Sequence, residues 1–182
     1  MVSNEAAVDN FSRALFESTA YDNPTPQGTH IEDLLDLRFI VCGSVRGARS
    51  NLAITTNGLV RLVQENKSLA RDSDPEPQSI AQAIAAFGHN NLRREERLLH
   101  ETTLGITMVG TTPAFYKIRV TAALLDAVCH GEFPDDVTHV RVHYPAVDLA
   151  DGMLPLGNRL LILSYYAAFR LIHLVLLNMP NM

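Results

Sequence analysis

Apolar and polar positions alternate along this chain in two different periods, and the switches between them divide it into elements. In residues 4–18, Ala7, Phe11, Leu15 and Phe16 fall on one stripe at helical spacing, which predicts an amphipathic helix. Pro24-Thr25-Pro26-Gln27-Gly28 ends that pattern. Residues 34–44 read as an apolar strand, followed by a Gly/Arg-rich turn over 43–50. Next, Leu52-Ala53-Ile54-Thr55-Thr56 and Leu59-Val60-Arg61-Leu62-Val63 flank Asn57-Gly58, a tight hairpin because both central residues of such a turn need positive φ. A polar, proline-bearing break at residues 72–77 leads to a helix over 78–97 with Ile80, Ala83, Ile84 and Phe87 on one face. Residues 105–110 and 115–120 predict a second strand pair, and 122–129 a short helix stopped by Gly131 and Pro134. Residues 137–144 alternate as a half-buried strand, and 160–177 form a last, strongly apolar helix. The fold class this order predicts is α/β (α+β), a mixed β-sheet flanked by helices.

Length and composition bound the picture without changing it. At 182 residues and 47% hydrophobic, the chain reads as a single domain over residues 1–182. An N-terminal helix and loop occupy 1–33, a sheet core with crossing helices 34–144, and a C-terminal helix 156–177. Two cysteines, Cys42 and Cys129, are too few for a disulfide framework, and no signal-peptide-like apolar run opens the chain. The expected location is therefore intracellular, cytoplasmic or nuclear. The apolar run at 160–177 carries Arg170 near its middle, so it reads as a core helix with Arg170 and His173 on its wetter side rather than a membrane span.

Charge does change the picture. The net balance of −5 speaks against a protein that coats nucleic acid through its overall field, yet the sign reverses locally. Residues 1–36 hold seven acids against Arg13 alone, whereas residues 37–71 hold six basic side chains against one acid, Glu65. A cationic stretch with a single carboxylate suits phosphate contact, and Arg46, Arg49, Arg61, Arg93 and Arg94 are the candidate nucleic-acid contacts.

Most catalytic motifs are absent: no phosphate-binding loop, no dinucleotide fingerprint and no Gly-x-Ser-x-Gly elbow. His139 and His143 lie four apart on a strand, roughly 13 Å from one another, too far to share a metal. Cys129-His130 is an adjacent pair on a helix, so the two side chains diverge. Glu65-Asn66-Lys67 is different, because residues two apart on a strand share a face. A carboxylate that holds Mg²⁺ beside a lysine that orients water is what metal-dependent phosphodiester cleavage needs, though surface strands also carry this pair as a simple salt bridge.

Val63-Gln64-Glu65-Asn66-Lys67, Asp74-Pro75-Glu76-Pro77-Gln78 and the helix Ile80-Ala81-Gln82-Ala83-Ile84-Ala85-Ala86-Phe87 resemble a large, uncharacterised multi-copy family of mushroom-forming (basidiomycete) fungi. The resemblance continues through Ile106-Thr107-Met108-Val109-Gly110-Thr111 and Phe115-Tyr116-Lys117. That family is in turn similar to the PD-(D/E)XK, restriction-endonuclease-like nuclease superfamily, whose core runs helix, three strands, helix, strand. The resemblance implies a metal site with Glu65 as the Mg²⁺ ligand, Lys67 assisting, Gln78 nearby, and DNA or RNA as partner. At Asn51, where the family pattern has an aspartate, this chain offers only a neutral carbonyl oxygen, and Gln82 stands where a glutamate is usual.

Three expectations follow. The first is a nuclease-like protein with a degenerate site, a nucleic-acid-binding or structural relative of a nuclease. The second is an active Mg²⁺-dependent nuclease tolerating Asn51, with Glu65, Lys67, Asn51 and Gln78 as its catalytic set. The third is an interaction module unrelated to nucleic acid that pairs with a second copy through its C-terminal helix. Geometry bears on the first two: a plain hairpin at Asn57-Gly58 puts Asn51 opposite Gln64 and turns it away from Glu65, and only a bulge would realign them.

Overall fold

A computed structural model describes residues 5–21, 28–70 and 73–178. The elements run α1 (Glu5–Ser18), β1 (Thr29–Val41), β2 (Ser44–Thr56), β3 (Leu59–Lys67), α2 (Glu76–Arg93), β4 (His100–Val109), β5 (Thr112–Thr121), α3 (Ala122–His130), β6 (Val140–His143) and α4 (Leu156–Asn178). The six strands form one mixed sheet in sequence order. Only β3 and β4 pair in parallel, and α2 makes that crossover. The molecule is thus the α+β arrangement that the order of elements predicts. The expected breaks at Pro24-Thr25-Pro26-Gln27 and Asp72 lie outside the described residues.

Local chemistry accounts for the boundaries. Asn57 and Gly58 both have positive φ (53° and 74°), as a two-residue hairpin requires. Thr121 Oγ1 accepts the Leu124 N–H at the start of α3, and Gly131 closes that helix in the left-handed region at φ 76°. The turn expected over 43–50 is instead strand. Cys42 (φ 49°) and Gly43 (φ 73°) alone reverse the chain, so β1 and β2 make a long hairpin whose tip bonds α3, Cys42 N to Val128 O and Gly43 N to Cys129 O. The arginines that suggested a loop sit there on exposed strand positions.

The sheet buries both faces. One face packs Leu52, Ile54, Leu62, Leu104, Ile106 and Met108 against Leu15 and Phe16 of α1 and Ile162, Tyr166 and Phe169 of α4. The other packs Ala53, Val60 and Val63 against Ala85 and Ala86 of α2, and Tyr116, Ile118 and Val120 against Ala83, Phe87 and Leu124. On α4 the placement of the polar pair differs from the expectation. His173 is buried at 3% exposure and stacks on Tyr21, while Arg170 Nε donates to Ala20 O. Its outward stripe is apolar instead, with Leu160, Leu171 and Val175 exposed. By length and composition α4 is long and apolar enough to cross a membrane.

Two irregularities in β1–β3 decide where the site residues point. Leu52 pairs with Gln64 and Ile54 with Leu62, but Thr55 pairs with Val60, so Arg61 is an extra residue in β3. Asn90 of α2 takes up Val60 beside this bulge, accepting its N–H and donating to its carbonyl, each at 2.8 Å. The second lies one strand away. Ala48 and Ala53, five residues apart on β2, both face α2, and on β1 Ile31 faces α1 and α4 while Leu35 faces α2. Alternation is therefore interrupted once in each strand, at Asn51 and at Leu34, whose φ is +53°.

Candidate functional site

β3 carries buried polar residues on both faces at its C-terminal end. Toward α2 it presents Glu65 and Lys67. Glu65 is 2% exposed, and both of its oxygens are occupied by N–H donors: Lys67 Nζ lies 2.5 Å from Oε1, and Gln82 Nε2 donates to Oε2 at 2.7 Å. Lys67 also donates to Gln78 Oε1 at 3.3 Å. The Gln82 amide nitrogen reaches the carbonyl of Arg49 at 2.8 Å, and that of Gln78 reaches the same carbonyl at 3.5 Å. Two turns of α2 and the kinked part of β2 thus enclose one ion pair. Burial pushes the Glu65 carboxyl above its ordinary value; the hydrogen bond and charge of Lys67 and the hydrogen bond from Gln82 oppose this, and the charge of Glu5 adds to it.

Toward α1 the same strand end presents Gln64 and Asn66. Asp9 Oδ1 accepts from Asn66 Nδ2 at 2.8 Å and from Asn51 Nδ2 at 3.0 Å, while Asn51 Oδ1 accepts the backbone N–H of Asn66 at 3.0 Å. Ser12 Oγ and Gln64 Nε2 both donate to Asn66 Oδ1. Ser50 Oγ accepts the Gln64 N–H at 3.1 Å, so a side chain stands in for the strand pairing that the kink removes. Asn51 is held in this network on the α1 side of the sheet. The bulge at Arg61 brings it level with Glu65, and the interruption at Asn51 turns its side chain to the other face.

The sequence-predicted residues therefore separate into groups. Glu65, Lys67 and Gln78 meet, with Gln82 as the fourth member; Asn51 belongs to a different network. Arg46, Arg49 and Arg93 are exposed. Arg61 and Arg94, expected to meet phosphates, instead bracket Glu101, with Arg61 Nη1 at 2.9 Å and Arg94 Nη2 at 2.5 Å from Glu101 Oε1. Asn90 Nδ2 adds a bond to the other oxygen at 3.0 Å, so this triad ties β3, α2 and β4 together. Sequence reasoning passed over Asp9, Asn66 and Glu101. The available signal was Gln64 and Asn66 themselves, two amides that follow Leu62 on one face of the strand and need buried partners.

A divalent cation does not fit this donor set. Mg²⁺ takes hard oxygens, usually one or two carboxylates plus substrate phosphates. Here the only carboxylate in the cluster already accepts from an ammonium and an amide, and the Lys67 charge stands where a cation would approach. Among the described residues, no three His, Cys, Asp or Glu side chains are grouped to hold a metal. No family model, curated protein or solved structure matches this chain.

Proposed function

We propose that this chain is a nuclease-like domain of the PD-(D/E)XK type whose metal centre has given way to an internal Glu65–Lys67–Gln82 network, and that it holds nucleic acid rather than cleaving it. The observation that carries this reading is the occupation of both Glu65 oxygens by N–H donors, with Asn51 turned to the opposite face. Support comes also from the order helix, three strands, helix, strand over α1 to β4, which is that of the superfamily core. Arg49 anchors the network through its carbonyl while its side chain is exposed, and Arg46 and Arg93 are also exposed, a sparse set of cations for phosphate contact.

Retention of a short DNA duplex, a single strand and an RNA duplex on filters, measured without divalent metal, tests the binding half of the proposal. Three phosphate contacts give roughly a 40-fold loss of affinity between 50 and 200 mM salt. Arg46→Glu with Arg49→Glu should abolish retention at 50 mM. No retention of any of the three at 50 mM, or retention that ignores both salt and the double substitution, would overturn it.

One observation favours a second reading, an interaction module. Leu160, Ser164, Ala167 and Leu171 repeat on the exposed side of α4 at intervals of four, three and four, the seam of a two-helix pairing. The small residues at its centre would let a second copy of α4 approach closely.

A further inference from the structure

The face of the sheet opposite the Glu65 cluster holds a cleft that neither reading uses. Phe115, Lys117 and Arg119 alternate onto one side of β5, and β6 sets His143 beside Phe115 and Arg141 beside Lys117. α4 crosses this side and packs Tyr165 and Phe169 on Phe115, with ring centroids 6.3 and 5.1 Å apart. Its side chains line one of the hollows beside the cations and not the other. Two adjoining hollows result. An apolar one of about 270 Å³ is walled by Phe115, Val142, Tyr165, Ala168, Phe169 and Ile172. A second of about 460 Å³ is lined by Thr102, Lys117, Arg119, His139, Val140 and Arg141. Lys117 and Arg141 line both, at the mouth between them.

The charges here are uncompensated. No Asp or Glu lines either hollow. Among the described residues, Lys117, Arg119 and Arg141 make no ion pair with a carboxylate, in contrast to Arg61 and Arg94 on Glu101. Lys117 and Arg141 are direct cross-strand partners, and like charges in that position repel. An anion placed between them would relieve the repulsion. An apolar hollow opening directly onto such a pair, the two hollows together falling in the size range of small-molecule clefts, fits a ligand with a greasy body and one anionic end.

We propose that this cleft binds a long-chain carboxylate, its head between Lys117 and Arg141 and its chain against Phe115, Tyr165 and Phe169. A nucleotide fits less well, because walls this apolar offer few donors and acceptors to a base edge. The proposal is independent of the nuclease-like reading, since it uses the other face of the sheet.

Calorimetric titration of the full chain with dodecanoate below its micelle concentration tests it. Saturable binding at one per chain is expected, with dodecyltrimethylammonium and inorganic phosphate each at least tenfold weaker, because each lacks one half of the match. Lys117→Gln with Arg141→Gln should weaken dodecanoate at least tenfold. Ala168→Trp, which fills the chamber, should do the same, whereas Arg141→Lys should retain binding; unchanged thermal unfolding shows that each variant is folded. Absence of saturable dodecanoate binding would overturn the proposal, as would affinity unchanged in both the charge and the chamber variants. Binding to anionic phosphatidylserine vesicles without binding to monomeric dodecanoate would overturn it in favour of a membrane surface.

Discussion

Glu65 and Lys67 form a pair whose meaning depends on what surrounds it. On an exposed strand end the two would contribute a fraction of a kcal/mol. Under α2 the desolvated carboxylate depends on its partners, and removing one side of a buried pair costs about 3–5 kcal/mol. Lys67→Met should therefore destabilise the protein by about 3 kcal/mol in urea unfolding at pH 8, and by progressively less as pH is lowered, because burial raises the Glu65 carboxyl and favours its neutral form. Replacing both, with Glu65→Gln added, should restore most of the loss; a double variant no more stable than Lys67→Met would mean that the pair is not the unit. His173 gives the opposite pH signature. Burial, with Arg61 and Arg170 adding to it, lowers its pKa to about 4, while the unfolded chain titrates near 6.5. Between those values the unfolded state binds more protons, so stability falls as pH drops from about 6.5 to 4, by up to about 3 kcal/mol. Glu65, with its raised pKa, works against this by losing stability as pH rises through and above the ordinary glutamate range. His173→Phe, which keeps a ring against Tyr21, should flatten the acid limb of a pH series of thermal unfolding. An unchanged limb would place its origin elsewhere.

At the scale of elements, periodicity was readable and its interruptions were not. The amphipathic stripes of α1 and α2, the Asn57-Gly58 hairpin and the strand pair of β4 and β5 are short-range patterns, and the structure has all of them. Leu34 at positive φ and the extra residue Arg61 leave no local trace, because neither is a residue type that seeks such a backbone. They persist because distant groups complete them: Asn90 from α2 at the bulge, Ser50 and Asp9 at the kink. Those same interruptions decide the candidate site. Glu65 and Lys67 were legible as neighbours because they need only strand alternation, and Gln78 came with the family resemblance alone, whereas the face taken by Asn51 depends on two irregularities in succession. The fate of Arg61 and Arg94 was hidden for a related reason, since Glu101 lies 40 residues from Arg61 in sequence. α4 carries a prediction of its own. If its exposed seam pairs two chains, the intact protein should sediment as a dimer, and Leu160→Glu with Leu171→Glu should give a folded monomer. A monomer without those changes would remove the interaction reading.

For the whole molecule, the mixed sheet separates two chemistries. On the α2 face an ion pair fills the position where the proposed nuclease-like reading would put a metal, and exposed arginines lie on the adjoining hairpin. On the α4 face a cationic mouth opens into an apolar chamber. The first of these is proposed to be a metal site replaced by protein donors, and Gln82 is the residue on which that proposal turns. Its amide nitrogen is 2.7 Å from Glu65 Oε2, so Gln82→Glu would set two carboxylates side by side, the pairing a divalent cation needs. Asn51→Asp would instead place a second negative charge against Asp9, on the far side of the sheet. The most direct test is a Mn²⁺ titration of the native chain, Gln82→Glu and Asn51→Asp, followed by plasmid cleavage with each. Millimolar or weaker binding and no cleavage are expected for the native chain, no gain in Asn51→Asp, and at least a tenfold gain in Mn²⁺ affinity in Gln82→Glu. Micromolar Mn²⁺ binding by the native chain, with cleavage that disappears in Lys67→Ala, would contradict the proposal.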